Sequence, residues 1–444
     1  MGSTLNPINS SMIATALVPI AVYMHISVAH TTLLVTSLYL ASSIAQPTAG
    51  KLSEEFGPRR VFLTGILLVL LGGLLGGLAR NLSILILSRI LIGIGTSTAY
   101  PSAMLLIRRR AESAGMAKPP GNVLGALQIT GVVTAAVGLP IGGLLVDAWG
   151  WRTTFLVNIP FALVAFVMAA LWIPKDEIIG GEKTVRAISS RIDIIGIIGF
   201  AATISTLMVF LFSVPNPSWI VLSLAIVLGI LLILWELRTK HPFIDVRMLA
   251  SNRALSRTYA RFTLITLCIY TVLYGVTEWI TAARGTSALE AGLLILPMSV
   301  ISALVVGPVS KRNLVRGPLI FGAGSAIVAS IGVLFLTANT SIIWILLITL
   351  IFGVTMGTMA SSNQTALYMQ ITSDQIGTAS GLLRTFGYIG SIASSALIGI
   401  VFHRKVSDSG LHHIAIIMIA VSFIALIMTL ADRRLKVISK QAVV

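Results

Sequence analysis

Long apolar runs, separated by short polar connectors, follow one another along the whole chain of 444 residues. A helix that crosses a bilayer needs about 20 mostly apolar residues, at a rise of about 1.5 Å each. On that measure the pattern predicts fourteen spanning helices and an all-α polytopic membrane protein. The apolar runs lie near residues 5–24, 31–49, 61–79, 82–106, 122–146, 152–173, 194–213, 218–237, 259–282, 290–309, 316–337, 341–366, 377–402 and 411–431.

The composition supports a lipid environment. Apolar residues make up 56% of the chain, charged residues make up 10%, and the mean hydropathy is +0.96. A water-soluble domain needs a charged exterior, whereas a surface that faces lipid does not. The composition therefore argues against a soluble enzyme. The single cysteine, Cys268, lies inside an apolar run, so a disulfide within the chain is excluded.

Basic residues are divided unevenly between two alternating sets of connectors. With the N-terminus placed inside, the cytoplasmic connectors carry 24 Lys and Arg residues, Arg261 among them, and the external connectors carry five. This positive-inside asymmetry predicts a multi-pass protein of the bacterial plasma or inner membrane with both termini in the cytoplasm. The net charge of +16 would suggest nucleic acid in a soluble protein. Here it indicates contacts with anionic membrane lipids, and we expect no nucleic-acid partner.

The connector between the second and third spans reads GKLSEEFGPRR at residues 50–60, which we call the signature loop. Its pattern G-x-L-x-[acid]-x-x-G-x-R-R resembles the signature loop of the major facilitator superfamily of transporters. The resemblance implies a cytoplasmic gating latch in which the acid pairs with an arginine of a neighbouring helix. The matching positions are Gly50, Glu54, Gly57, Arg59 and Arg60. The alternative is a polar turn that carries positive-inside charges.

Two further motifs resemble the same family. LILSRILIGIG in the fourth span is similar to L-x-x-x-R-x-x-x-G-x-G and places Arg89 at a matching position, where a guanidinium in a span is costly unless it has a function. GLPIGG in the fifth span, which we call the glycine segment, resembles the antiporter motif. Its matching residues are Gly138, Pro140, Gly142 and Gly143. Its alternative is a tight helix contact without a gating role.

Three longer stretches resemble the fourteen-span drug/proton antiporter branch of that family: WRTTFLVNIP at 151–160, ELRTKHPFIDVRML at 236–249 and GTSALEAGLLILP at 285–297. The resemblance implies the major facilitator fold, with a six-helix bundle over 1–173, two additional central helices within 174–258, and a second six-helix bundle over 259–444. Substrate would bind between the bundles and be moved by alternating access.

Proton coupling requires an ionisable group inside the membrane, and acids are scarce there. The first span has Asn9 where the branch has an acid, and an amide does not exchange protons in the working pH range. Glu278 is the best candidate, with an acid of the outer aromatic belt as its alternative. Asp147 is a helix-end partner for Arg152 or a point of proton entry. Arg89 is the basic group we associate with coupling.

Seven polar residues in the predicted spans are candidates to line a substrate cavity. They are Asn9, Gln128, Asn158, Tyr274, Asn363, Arg384 and Tyr388. We expect Arg384 to be the second buried guanidinium, which binds an anion or a substrate carboxylate, or extends to the cytoplasmic face.

These features predict a monomeric secondary transporter that exports amphipathic or cationic small molecules in exchange for protons. A nucleotide-binding loop of the G-x-x-x-x-G-K-[ST] type is absent from the sequence, so we expect the proton gradient to supply the energy, without a cofactor or a metal. The runner-up is a carrier for an anionic or lipid-like substrate. A third reading is a membrane sensor or scaffold that does not transport.

Overall fold

A computed structural model describes residues 5–115, 121–176, 193–213, 217–240, 242–244, 246–311, 314–370, 376–432 and 434–435. Regular structure in these ranges is helical. Eight of the basic residues used to orient the chain lie outside them: Lys118, Lys183, Arg186, Arg191, Arg312, Arg433, Lys436 and Lys440.

The helices follow the predicted runs in order. They are α1 (Leu5–Met24), α2 (Val28–Phe56), α3 (Pro58–Gly77), α4 (Leu82–Ser97), α5 (Ala99–Ser113), α6 (Gly121–Trp149), α7 (Thr153–Leu156), α8 (Asn158–Trp172), α9 (Ile194–Phe212), α10 (Trp219–Arg238), α11 (Val246–Ser251), α12 (Arg253–Tyr270), α13 (Thr277–Arg284), α14 (Ala288–Lys311), α15 (Arg316–Leu334), α16 (Ile342–Gln370), α17 (Ile376–Val401) and α18 (Asp408–Ala431). A π-helical turn, Thr271–Val276, joins α12 to α13.

The prediction of an all-α membrane protein is confirmed, whereas the count of fourteen spans stays a prediction. Within the described residues, twelve helices are long and apolar enough to cross a membrane. Helices α2 and α6 both include residues whose side chains lie outside the described part of the chain, and in α6 the apolar stretch described without interruption, Val137–Trp149, is shorter than a span.

The chain divides into two compact units. Unit 1 comprises Met1–Asn6, Ser37–Gln128 and Phe155–Ser251. Unit 2 comprises Pro7–Thr36, Ile129–Thr154 and Asn252–Val444. The division falls inside α1, α2 and α6, so one part of each of these helices packs with the helices that follow residue 252. The predicted three-part division at 173 and 258 stays a prediction.

Glycines set the helix spacing in unit 1. A Cβ on Gly95 would lie 2.4 Å from the carbonyl oxygen of Gly65, and one on Gly93 would lie 2.7 Å from that of Leu38. Ser88 also donates from Oγ to the carbonyl of Gly72 at 2.6 Å. Small residues let helix backbones approach closely where lipid supplies little hydrophobic driving force. Helix α4 is therefore held against both α2 and α3.

The two additional helices, α9 and α10, pack mainly on each other and leave most of their apolar side chains exposed. Asp193 ties their ends together, because its carboxylate accepts from Gly196 N at 3.0 Å, Trp235 Nε1 at 2.8 Å and Phe243 N at 3.0 Å. In the structure it is a buried structural acid.

Candidate transport site

The signature loop, predicted as a connector over 50–60, is helical except at Gly57: it comprises the end of α2, a sharp turn at Gly57 and the start of α3. Gly57 has φ 94°, which an L side chain rarely adopts, and a Cβ there would lie 2.2 Å from Asp176 Cγ. The backbone N–H groups of Arg59 and Arg60 donate to Asp176 Oδ1 at 3.1 Å and Oδ2 at 2.9 Å. A carboxylate at this position satisfies the free N–H groups at the start of α3.

The acid that binds this loop in the structure is thus Asp176, which follows α8 and is not part of the motif. Arg59 Nη2 reaches the same region and donates to Ala170 O at 2.7 Å. The side chain of Glu54 lies outside the part of the chain that the structure describes, so its latch role stays a prediction. A Cβ on Gly50 would make only an ordinary contact with Pro101. The sequence signal for Asp176 is an acid shortly after the sixth span.

The glycine segment of α6 is packed on two sides. A Cβ on Gly138 would lie 2.0 Å from Ser11 Oγ, and one on Gly142 would lie 2.8 Å from Met12 Cα, both in α1. On its other side, a Cβ on Gly143 would lie 2.5 Å from Leu289 Cα in α14. Pro140 lies inside the helix. The tight helix contact is therefore present, and a gating role for it stays a prediction.

Asp147 extends the contact between α6 and α14. Its Oδ2 accepts from Leu289 N at 2.9 Å, in the first turn of α14. The first N–H groups of a helix lack partners within the helix and carry partial positive charge, so a carboxylate is stabilising there. Arg152, the partner expected from sequence, has its guanidinium 4.4 Å from the ring centre of Tyr23 and 4.3 Å from that of Trp151.

The π-helical turn between α12 and α13 carries Tyr274, whose hydroxyl donates to Ser10 O at 2.8 Å. Ser10 follows Asn9 in α1, and both Asn9 and Tyr274 are buried. Thr271, in the same turn, shares a hydrogen bond of 3.0 Å with Ser394 Oγ of α17. Isolated π-helical turns occur frequently at functional sites. Tyr274 therefore joins α1 to the π-helical turn that precedes Glu278, and its cavity role stays a prediction.

Glu278 lies in the first turn of α13, one turn after Tyr274, and is 0% exposed. Neither of its carboxyl oxygens has a hydrogen-bond partner among the described residues. The adjacent Trp279 does have one, because its Nε1 donates to Asp408 Oδ1 at 2.8 Å. A charged carboxylate that is buried without a partner is very costly. Glu278 is enclosed by protein, whereas an acid of the outer aromatic belt would be exposed at the protein surface.

The sequence assigned the second buried guanidinium wrongly. It is Arg261, which is 0% exposed, whereas Arg384 is partly exposed. Arg261 Nε donates to Asn363 Oδ1 at 2.9 Å, and its Nη2 donates to Thr258 Oγ1 at 3.3 Å. Helix α12 begins at Arg253, before the apolar run at 259, so Arg261 lies well inside a helix and not in a connector.

Two of the predicted cavity residues are structural. Asn363 is fully buried beneath Arg261, and its Nδ2 donates to Met359 O at 2.8 Å. Asn158 is buried at the start of α8, where its Nδ2 donates to Phe155 O at 3.1 Å and its Cβ packs on Gly73. The side chain of Gln128 lies outside the described part of the chain.

Three further candidates keep a position that fits their predicted roles. Arg89 is buried, 2% exposed, in α4. Arg384 and Tyr388 are hydrogen-bonded to each other on α17 and are partly exposed. The coupling role of Arg89 and the cavity role of the α17 pair stay predictions.

Comparisons with known proteins place this architecture. The model of the Major Facilitator Superfamily matches residues 1–187 and 183–395. The uncharacterized MFS-type transporter YwoD of Bacillus subtilis (strain 168) is 33% identical over 440 residues, which cover 96% of this chain and 94% of that protein. The tetracenomycin C resistance and export protein of Streptomyces glaucescens is 27% identical, over 92% of this chain and 75% of that protein.

A solved structure, that of the nucleoside transporter NupG, matches with a TM-score of 0.65 over 96% of this chain and 98% of that chain. At 11% identity this likeness concerns the fold alone. The family match and the relatives make the chain a multi-span membrane transporter and not an enzyme, and they are consistent with the drug/proton antiporter branch. On the match to both of its halves and the relative that aligns along nearly its full length, this chain belongs to the Major Facilitator Superfamily.

Proposed function

We propose that this transporter exports amphipathic small molecules in exchange for protons, by alternating access. One observation carries the proton-coupling part: Glu278 is a fully buried carboxyl group without a hydrogen-bond partner in the described residues. A charge in that position must be neutralised by a proton or a cation, because the membrane interior does not solvate it. Export is supported by a relative whose name describes resistance and export.

The position of Glu278 fits a coupling role. Tyr274, one turn earlier, bonds the backbone of Ser10 in α1, so a change at this turn acts on the first helix directly. The branch that this chain resembles has an acid in that first helix, where this chain has Asn9. We propose that Glu278 carries the exchangeable proton in its place.

We propose that the contacts of α6 in unit 2 close the transport path on the external side. The glycine segment lies against α1 and α14, and Asp147 bonds the start of α14. An alternating-access cycle requires such a contact to form in one state and separate in the other. The signature loop, held by Asp176, is the proposed cytoplasmic counterpart.

The charge of the substrate is a second question. The sequence favoured amphipathic or cationic molecules, with an anionic or lipid-like substrate as the runner-up. Arg384 is partly exposed on α17, whereas the acid Glu278 is fully buried in α13. A guanidinium that is accessible where the acid is not favours a substrate that carries an acidic group.

The remaining parts of the proposal follow the sequence. The transporter works as a monomer in the bacterial plasma membrane, with both termini in the cytoplasm. It uses the proton gradient, without a cofactor, and binds its small-molecule substrate, protons and membrane lipids.

Transport by the purified protein in proteoliposomes tests the proposal. Counterflow of a labelled amphipathic dye separates a carrier from a sensor or scaffold, because only a carrier exchanges substrate. Dependence of net dye movement on an imposed pH gradient separates antiport from uniport. We expect counterflow and a gradient-dependent net flux. Absence of counterflow for a panel of dyes, biocides and lipids would remove the transporter reading.

A further inference from the structure

Helix α17 has two different sides. One side packs on α12 and the π-helical turn: the Phe386 ring stacks on Tyr259 at 5.0 Å, and Thr263 Oγ1 donates to Phe386 O at 2.9 Å. Gly387 and Gly390 lie on the same side, where an added Cβ would meet the ring of Phe262 or the carbonyl of Thr263. This side of α17 is therefore committed to helix packing.

About a third of a turn away, at the helical spacing of 3.6 residues per turn, α17 carries a stripe of polar side chains. We call it the polar stripe: Arg384, Tyr388, Ser391 and Ser395. Arg384 and Tyr388 are partly exposed, whereas Ser391 and Ser395 are buried. Ser391 Oγ has no hydrogen-bond partner among the described residues. The stripe thus continues from a partly exposed pair to a buried hydroxyl that is not satisfied within this part of the chain.

Arg384 lies inside the candidate membrane span Leu382–Val401 of α17 and is partly exposed. Ionisable side chains within a span face the interior of the bundle or a water-filled cavity, because lipid contact is very costly. We therefore infer that the exposed part of Arg384 faces solvent and not lipid. Its hydrogen bond with Tyr388 holds the guanidinium beside the next turn and does not leave it extended to the near end of the helix.

The other two span arginines differ from Arg384. Arg89 is buried in unit 1, and Arg261 is buried in a network with Asn363 and Thr258. Neither of them is accessible to a solute in this structure. Arg384 is therefore the span guanidinium that a substrate in solution reaches.

We propose that Arg384 and Tyr388 form the recognition site for an acidic group, such as a carboxylate, on an amphipathic substrate. A guanidinium presents a planar fork of N–H donors that matches a carboxylate, and a neighbouring hydroxyl adds a hydrogen bond. The proposal rests on the proposed function, because it requires a solvated substrate path. It adds the substrate class to that function: amphipathic molecules with an acidic group bind, and those with the group blocked bind weakly.

Binding of two matched dyes tests the proposal. One is a xanthene dye with a free carboxylate, and the other is its methyl ester, which has the same ring system. Dissociation constants are measured by fluorescence anisotropy on the purified full chain in nanodiscs of phosphatidylcholine. This lipid has no net charge, so an anionic head group does not occupy the site. Repeating the titration with phosphatidylglycerol present shows whether a lipid head group competes for the same guanidinium.

We expect the acid dye to bind about tenfold more tightly than the ester, because a charge-assisted pair is worth about that factor or more. Arg384→Gln should bring the two dyes to within about twofold of each other, with the loss confined to the acid dye. Tyr388→Phe should weaken the acid dye several-fold. Arg253→Gln, which removes an exposed arginine of α12, is the matched control and should leave both dyes unchanged.

The proposal is overturned if wild-type protein does not bind the acid dye or does not distinguish the two dyes, or if Arg384→Gln weakens both equally. If Arg384→Gln does not fold, Arg384→Lys is measured in its place, because lysine keeps the positive charge and lacks the planar fork of N–H donors. A reduced preference for the acid dye with unchanged ester binding supports the site, and an unchanged preference overturns it. Selective binding without gradient-driven transport would support the site and contradict the proposed function.

Discussion

The helical segment from α12 to α13 contains one buried ionisable side chain in each of its two helices, Arg261 and Glu278, and the two differ in their hydrogen bonding. At the α12 end, Arg261 donates from Nε to Asn363 and from Nη2 to Thr258, and only its Nη1 is without a hydrogen-bond partner in the described residues. At the α13 end, Glu278 is as deeply buried, yet neither carboxyl oxygen has a partner in the described residues. A bonded group holds the fold, whereas an unbonded one costs stability and is retained for function.

Loss of the Arg261 network should give the largest effect on stability. Arg261→Met removes hydrogen bonds to a charged group and leaves the Asn363 oxygen buried without its donor. We expect the free energy of unfolding to fall by about 3 kcal/mol. Thermal unfolding in detergent measures it, with Arg253→Met, at an exposed position of the same helix, as the control. Equal stability of the two variants would mean that the network does not support the fold.

Buried charged residues such as Arg261 show which structural features could be predicted from the sequence and which could not. The apolar runs gave every long helix because length and hydropathy decide membrane insertion. The runs did not show that α12 begins at Arg253, so Arg261, near the start of the run at 259–282, was counted with the charges of the preceding connector. From the sequence alone, an arginine that is hydrogen-bonded inside the protein cannot be distinguished from one at the cytoplasmic face of the membrane. The partner of Arg261 lies about a hundred residues away, in Asn363.

A side chain added to the glycine segment should have the next largest effect. A Cβ at position 143 would lie 2.5 Å from Leu289 Cα, which is backbone and does not move independently. We expect Gly143→Ala to destabilise the α6–α14 contact by about 2 kcal/mol. The measurement is external maleimide labelling of Ala288→Cys, a buried position at this contact, in both backgrounds.

Gly131→Ala is the control for this substitution, because a Cβ on Gly131 would have no atom within 4 Å. It should leave the labelling of Ala288→Cys low. If Gly143→Ala also leaves the labelling low and stability unchanged, the close approach of α6 and α14 is not needed to close this side.

The Asp147 carboxylate is satisfied, unlike that of Glu278, and its loss should have a smaller effect. Asp147→Ala removes the acceptor for Leu289 N, and we expect a loss of about 1 kcal/mol, the usual size for a helix cap. Labelling of the same Ala288→Cys reporter should rise moderately. Asp147→Asn, which keeps an acceptor oxygen, should fall between wild type and the alanine variant. An unchanged alanine variant would show that the cap does not hold the contact.

Glu278→Gln should have the smallest effect on stability, because the carboxyl group has no hydrogen bond to lose in the described residues. We expect the free energy of unfolding to stay within about 0.5 kcal/mol of wild type. Thermal unfolding beside Arg261→Met measures the contrast. A loss as large as that of Arg261→Met would show that Glu278 has a structural partner, and the distinction between the two ends of the segment would disappear.

Residues of the candidate site could be predicted from the sequence where the residue type alone indicates a role. Glu278 stood out because an acid at membrane depth is rare, and the glycine segment stood out because small residues mark close helix contacts. The sequence did not show that Asp176 binds the signature loop, that Asp147 bonds Leu289, or that Asn158 and Asn363 are structural. These outcomes depend on which helices pack together. The sequence does not distinguish an asparagine that lines a cavity from one that bonds a buried arginine.

Gradient-driven transport by Glu278→Gln in proteoliposomes tests whether Glu278 carries the exchangeable proton. Counterflow and net flux are measured for the variant and the wild type, reconstituted in the same way. We expect the variant to keep counterflow of the dye and to lose the flux driven by an imposed pH gradient. A variant that retains full gradient-driven flux would contradict this role of Glu278, because the exchangeable proton would then be carried by another group.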